Sequence, residues 1–412
     1  MNYSECLDYL FQQLPMFQRI GAPAYKADLK NTIELCLAFG NPETKFKSVH
    51  VAGTNGKGSV ASALASIFQS CGYKTGLFTS PHLKDFRERI KINGELISEA
   101  AVVEFTQQVL DKEFDFSPSF FEISAIMAFD YFATERVDIA IIEVGMGGRL
   151  DSTNVILPEL SVITSISKDH EQFLGNTLEK IAREKGGIIK PEIPVVIGEN
   201  ELSVVKTLEE IAQERKAPFY DVYAKSPFIP TDLPGSYQRE NMRTVSKAVD
   251  VLVSEGWKLN RECVEKGAMN VIPNTGLRGR WEQIGTMPKI IADVGHNEAG
   301  VRQVVDHLRK ESFVRLHIVW GMVGDKDAKA ILSQLPTSAS YYWCKPNIPR
   351  GKNEEELALD ALKYSLEGKS YKSVDQALQA AKSEALLNDL IFVGGSLFTV
   401  AEVLPDRIME FT

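Results

Sequence analysis

The chain has 412 residues, 44% of them hydrophobic and 25% charged, with a formal net charge of −9. That length accommodates two or three domains, and the acidic balance argues against a nucleic-acid partner, whose binders usually carry a basic surface. No apolar run approaches the ~20 residues that cross a bilayer, and the first residues lack the basic and apolar regions of a signal peptide, so no membrane association and a cytoplasmic location are expected.

The five cysteines are scattered and include no C-x-x-C pair, which suggests neither a zinc site nor a disulfide framework. Residues 29–39 read as a helix closed by Gly40-Asn41-Pro42. An alternating apolar segment at 49–52 then runs into Gly53-Thr54-Asn55-Gly56-Lys57-Gly58-Ser59, and a helix-like segment follows at 60–69. A strand is expected at 74–79, and a β-hairpin at 89–97, where Asn93-Gly94 sits between alternating apolar residues. Helices are expected at 99–110, 121–133, 177–185 and 238–253, with buried strands at 137–144, 160–166 and 193–197. This alternation predicts an α/β chain built on a doubly wound, mostly parallel sheet.

The turn-rich stretch at 272–277 is the expected boundary, giving domains 1–277 and 278–412. The second series has strands at 289–294, 315–320, 341–344 and 390–393. Its helices fall at 298–308, 328–335, 354–365, 374–386 and 397–403. The rhythm is Rossmann-like, but no G-x-G-x-x-G follows a strand, so dinucleotide binding is not expected.

A strand, a glycine-rich loop with one lysine, and a helix build an anion cradle. Loop N–H groups point inward, the helix N-terminus adds partial positive charge, and Lys57 reaches the phosphates. Ser59 is a candidate for a hydroxyl on magnesium. The loop departs from G-x-x-x-x-G-K-[ST], because Val51 stands for the leading glycine and Gly58 separates Lys57 from Ser59. Its other reading is a ligand-free turn.

Four further clusters lie at strand ends, where open α/β sheets hold ligands. Thr79-Ser80-Pro81-His82 offers hydroxyls, or is a plain Ser-Pro turn. Glu122 starts a helix among aromatics, as a metal ligand or as a helix N-terminal acid. Glu143 to Asn154 carries three glycines, with Arg149 and Asp151 free to pair or to serve a ligand. In the fourth cluster His170 is a ligand or a structural histidine, and Lys185 reads on its own as a cation at a helix end.

Taken in order, these pieces resemble the folylpolyglutamate synthase/dihydrofolate synthase family of the Mur ligase superfamily. The matching motifs are His-Val-Ala-Gly-Thr-Asn-Gly-Lys-Gly-Ser at 50–59, Thr-Ser-Pro-His-Leu at 79–83, Glu-Arg-Ile at 88–90 and Phe-Glu at 121–122. They continue with Glu-Val-Gly-Met-Gly-Gly-Arg-Leu-Asp-Ser-Thr-Asn at 143–154, Asp-His at 169–170 and Glu-Lys-Gly-Gly-Ile-Ile-Lys at 184–190. In the second half come Gly-Arg-Trp-Glu at 279–282, Asp-Val-Gly-His-Asn at 293–297, Gly-Asp-Lys-Asp at 324–327 and Gly-Gly-Ser-Leu-Phe at 394–398.

The resemblance implies an ATP-dependent ligase that activates a pteroate or folate carboxylate as an acyl phosphate and joins it to L-glutamate. Gly53 to Gly58 and Lys57 would hold the triphosphate. Ser59, Ser80 and Glu122 would ligate one Mg²⁺, and Glu122, His170 and an N6-carboxylated Lys185 a second. Asn241 would face adenine, Arg280 and Asp293 would contact ATP, and His296 and Ser396 would serve the amino acid. Phe86 and Arg89 would lie at the folate. A monomer is expected. The chain departs from the family pattern at Gly186, Gly295, Glu298 and Gly394, small changes beside backbone contacts. The rival readings are another Mur-type ligase, whose extra N-terminal domain does not fit a loop within the first ~60 residues, and a nucleotide-gated binding protein.

Overall fold

The computed structural model describes residues 1–16, 28–199, 201–222, 226–324 and 328–406. Of the expected Gly-Asp-Lys-Asp motif, 325–327 lie outside the described residues. The chain divides into two compact units. One comprises Met1–Leu233 with Gln238–Leu277, and the other comprises Pro234–Tyr237 with the chain from Arg278 onward.

The first unit is built on eight strands: β1 (Lys47–Ala52), β2 (Thr75–Phe78), β3 (Ile90–Ile92), β4 (Glu95–Leu96), β5 (Ile139–Glu143), β6 (Leu160–Ile163), β7 (Val195–Ile197) and β8 (Phe219–Asp221). Their order is β4-β3-β2-β5-β1-β6-β7-β8, with β3 antiparallel to both of its neighbours, β2 and β4, and all other pairs parallel. The central β5 is buried at every residue, as expected of a parallel strand covered on both faces. The connection leaving β1 runs toward β2 and the one leaving β6 runs toward β7. The carboxyl ends of these two neighbours therefore form a topological switch point, the usual ligand crevice of such sheets.

The helix Lys57–Ser70 begins at this point and is buried over most of its length. It packs tightly on the helix Arg261–Ala268: Ser66 Oγ donates to Gly267 O at 2.6 Å, and a Cβ on Gly267 would meet Ile67 Cα at 2.5 Å. Cys71, at the end of the first helix, is disulfide-bonded to Cys263 in the second. The sequence suggested no disulfide, because the partners are 192 residues apart and only helix packing brings them together.

The second unit has strands β9 (Glu282–Thr286), β10 (Lys289–Ala292), β11 (Leu316–Gly321), β12 (Ser340–Cys344), β13 (Gly368–Tyr371) and β14 (Leu390–Gly394). Their order is β13-β12-β11-β14-β10-β9, parallel except for β9. Sequence reading missed β8, β9 and β13. β8 and β9 carry no fully buried residue and β13 is mostly exposed, so none shows an apolar run. The stretch expected as turn, 272–277, overlaps a short helix, Val271–Thr275. Asp232 accepts the Val271 and Ile272 N–H groups at its start, and Lys91 Nζ donates to Thr275 O at 2.6 Å at its end. Among the described residues no helix is long and apolar enough to cross a membrane.

Candidate active site

The glycine-rich loop closes on the end of β6. Thr54 N donates to Ser165 O at 2.7 Å, and Thr54 Oγ1 both donates to Ser167 O and accepts from Ser167 N at 3.1 Å. Asn55 forms a bridge with Ser165, and its side chain reaches Ser167 Oγ at 3.3 Å. Gly53 holds φ +148, and a Cβ there would lie 1.8 Å from Thr164 Oγ1. Gly56 holds φ +88, and its Cβ would lie 2.3 Å from Asn241 Oδ1. Both positions exclude a side chain. Lys57 Nζ turns back to Thr54 O at 3.2 Å, the posture of a lysine curled over its own loop. Gly58 and Ser59 are buried at the helix start, and Ser59 Oγ accepts from Gln238 Nε2 at 3.2 Å.

Lys185 is not a solvated helix-end cation. It is 4% exposed, and its Nζ donates to Gly53 O at 2.8 Å, so it supports the loop from beneath. Burial first, then the positive charge of Lys57, pull its amine down from 10.5 to about 7, against the opposing pull of Asp169 and Asp151. His170 precedes the short helix Glu171–Leu174 in left-handed backbone (φ +51), with Nε2 3.9 Å from Asp169 Oδ1.

Arg149 and Asp151 do not pair with each other. Arg149 pairs with Glu184 at 2.9 Å, and the buried Asp151 accepts from Met146 N and from Thr153 N and Oγ1. Since Thr153 Oγ1 donates to Asp151, it accepts from His50 Nε2 at 2.8 Å, which fixes that tautomer. Burial holds the His50 pKa down at about 3.

Glu122, expected among the metal ligands, closes its own helix. Its carboxylate accepts Ser119 N–H at 2.6 Å, while Ser119 Oγ accepts Glu122 N–H at 3.2 Å, a reciprocal capping box. The carboxylate that reaches the carboxyl edge of the sheet is Glu143. It ends β5 opposite Val51 of β1, is 4% exposed, and accepts Ser80 N–H at 3.1 Å. Sequence reading placed Glu143 in a motif but gave it no role. The available signal was its position as the one charged residue closing a fully apolar strand.

Phe86 and Arg89, expected at a substrate surface, are interior. Phe86 packs against Phe11, His82 and Phe120. Arg89 donates to His82 Nδ1 at 2.8 Å and lies over the Phe120 ring, and burial lowers its pKa to about 9.

In the second unit Asp293 follows β10 and is buried. Its Oδ2 accepts from Tyr237 Oη at 2.5 Å and Trp281 N at 2.8 Å, and its Oδ1 from Gly295 N at 2.8 Å. Arg280 is half-buried beside Gly279, and His296 is half-buried with Nδ1 3.0 Å from Val294 O. Ser396 is buried, and its hydroxyl caps the helix Leu397–Val403 through Thr399 N. These residues lie just past the carboxyl ends of β10 and β14, again the ligand edge of a parallel sheet.

Two of the elements carrying this geometry match known domains. Residues 51–251 match the Mur ligase middle domain, and residues 279–397 match the Mur ligase, glutamate ligase domain. The chain is thus of the Mur ligase class. The dihydrofolate synthase/folylpolyglutamate synthase of Bacillus subtilis is 33% identical over 92% of this chain and 94% of its own length. Among solved structures, E. coli FolC in complex with DHPP and ADP superposes with a TM-score of 0.86 at 29% identity, covering 98% of this chain and 97% of that one. A bifunctional folylpolyglutamate synthase/dihydrofolate synthase with Mn, AMPPNP and L-glutamate bound gives 0.83 at 28% identity, with 98% and 97% covered. The chain belongs to the folylpolyglutamate synthase/dihydrofolate synthase family of the Mur ligase superfamily. It is an ATP-dependent glutamate ligase of folate metabolism.

Proposed function

We propose that the chain transfers the γ-phosphoryl group of ATP to the carboxylate of dihydropteroate, of a folate glutamate tail, or of both. The L-glutamate amine then attacks the acyl phosphate, the carbonyl–oxygen bond to phosphate breaks, and an amide, ADP and phosphate result. Residues 1–277 serve as the nucleotide domain and 278–412 as the amino-acid domain.

The loop from Gly53 to Gly58 cradles the triphosphate, with Lys57 offsetting charge on the transferring phosphoryl group. Asn241, beside Gly56, faces the base, and Arg280 and Asp293 are nucleotide contacts. His296 and Ser396 orient the amino acid. Phe86 and Arg89 act from the interior, fixing the shape of the turn that bears Ser80 and His82.

A divalent cation fits the donor set. Ser59, Ser80, Glu143 and His170 supply oxygen donors with one imidazole, and Mg²⁺ is commonly held by one or two carboxylates together with phosphates and water. Among the described residues no group of three or more His, Cys, Asp or Glu forms a ready-made metal cage. A second Mg²⁺ therefore calls for a further anion, which carboxylation of Lys185 would supply. These residues would hold Mg²⁺, which when bound would supply positive charge to offset that of the phosphates.

The observation that carries this reading is the convergence of Lys57 and the depressed Lys185 amine on one glycine-rich loop at the switch point. The test is ADP release with dihydropteroate and tetrahydrofolate as competing acceptors, with and without L-glutamate. Release independent of both folate and glutamate contradicts the reading, and the product ratio separates the two activities. A cytoplasmic monomer remains the proposed state.

A further inference from the structure

Tyr237 and Gln238 are consecutive residues that belong to different compact units. Each is bonded to a residue with a role in the reading above, on which this inference rests. In the first unit Gln238 is 1% exposed. Its Nε2 donates to Ser59 Oγ at 3.2 Å, and its Oε1 accepts from Asn241 Nδ2 at 2.7 Å. One amide thus orients both the hydroxyl that follows the loop lysine and the asparagine packed on Gly56.

In the second unit Tyr237 Oη donates to Asp293 Oδ2 at 2.5 Å, and Ser236 N donates to His307 Nδ1 at 3.1 Å. The two remaining acceptor contacts of Asp293 go to the backbone N–H groups of Trp281, next to Arg280, and of Gly295, next to His296, the expected nucleotide and amino-acid contacts. Burial and then the Asp293 charge push the Tyr237 phenol well above its usual value, so it stays a donor across the working pH range.

The Cα atoms of consecutive residues are only ~3.8 Å apart, and the peptide between them is planar. One peptide bond therefore joins the side chain bonded to Ser59 and Asn241 to the phenol bonded to Asp293. We propose that Tyr237-Gln238 is a positioning strap that couples the glycine-rich loop to the Asp293–His296 turn, so that nucleotide in the loop strengthens L-glutamate binding. Neither residue touches a reacting atom. Coupling of this kind is reciprocal, and it disappears when the link is cut even if both sites survive.

The experiment is calorimetric titration of L-glutamate into the full chain with Mg²⁺, with and without AMPPNP, together with steady-state kinetics. In the wild type AMPPNP tightens L-glutamate binding at least tenfold. In Tyr237→Phe, which removes only the hydroxyl, that factor falls below threefold. Trp281 N and Gly295 N still hold Asp293 in that variant, so AMPPNP affinity measured without glutamate stays within twofold, and the kinetic loss appears in KM for glutamate rather than in kcat. Gln238→Met keeps the length of the side chain and removes both polar contacts, to Ser59 and to Asn241, and it lowers the same factor.

Retention of the full factor in Tyr237→Phe overturns the proposal. So does weakened AMPPNP binding in that variant without glutamate, since the phenol would then serve the nucleotide site itself. A wild-type chain that binds no AMPPNP at all would overturn the functional reading rather than the strap.

Discussion

Lys185 offers the sharpest test of the site. The fall of its pKa from 10.5 to about 7 corresponds to about 5 kcal/mol in favour of the neutral amine. At pH 7.5 roughly three-quarters of the chains then carry a neutral amine, against about one in a thousand for a free lysine. Only the neutral form attacks carbon dioxide: the N–C bond forms, a proton leaves to water, and a carbamate anion remains. The sign on stability follows from the same shift. Between pH 7 and 10.5 the unfolded chain binds the extra proton, so the cost of burying this lysine is present in full below pH 7 and fades as pH rises toward 10.5. The perturbation is removal of carbon dioxide from the ligase assay, followed by its return as bicarbonate, between pH 6 and 8.5. Turnover is expected to fall about tenfold or more without carbon dioxide and to recover with it, and recovery should strengthen as pH rises through 7. Isotopic bicarbonate should give a carbamate carbon signal that is absent in Lys185→Ala. That variant should lose roughly 100-fold or more in turnover, on the scale of removing one stabilising group from a reaction centre. A short carboxylic acid filling the vacated space should restore part of it. Undiminished turnover without carbon dioxide, together with an active Lys185→Ala, would refute the reasoning and leave Lys185 as a buried support for Gly53.

Four other outcomes are expected. Lys57→Ala should lower turnover roughly 100-fold or more at saturating ATP, and near-normal turnover there would remove Lys57 from phosphoryl transfer. Glu143→Gln should raise the magnesium requirement and cut turnover, whereas Glu122→Gln, which keeps a capping residue at the same helix position, should leave both nearly unchanged; the reverse pattern would restore Glu122 to the metal. Gly53→Ala forces a Cβ toward Thr164 at φ +148. With strain of about 1–3 kcal/mol, AMPPNP affinity should drop by about tenfold or more, and an unchanged affinity would mean that the loop adapts freely. Finally, the chain denatured without reductant should take up three alkyl groups, on Cys6, Cys36 and Cys344, and all five cysteines should react after reduction. Five groups without reductant would mean that Cys71 and Cys263 stand as thiols, the state expected in a reducing compartment.

The sequence by itself determined the elements and the order of the chemistry. β-branched runs mark β5 and β6, Asn93-Gly94 marks the hairpin of β3 and β4, and the glycines around Lys57 mark a loop whose positive φ angles at Gly53 and Gly56 exclude side chains. These signals are local. Period, turn chemistry and glycine spacing act over a few residues, so they survive in one dimension.

Tertiary structure alone decided which charged groups face the loop. Lys185 looked like a helix-end cation because a helix end is all its neighbours reveal. It is buried because residues 132 positions earlier supply the Gly53 carbonyl it donates to. Glu122 and Glu143 are both acids beside apolar runs. One is consumed by a capping box three residues away, while the other is carried to the sheet edge by strand register. Arg149 and Asp151 are two residues apart, yet packing turns them to different partners. The division between Tyr237 and Gln238 falls at the start of the expected helix 238–253, and only the contacts of each side chain assign the two residues to different units. Such outcomes depend on contacts between distant segments and on the cost of leaving a buried charge or donor without a partner, and no local pattern encodes that cost.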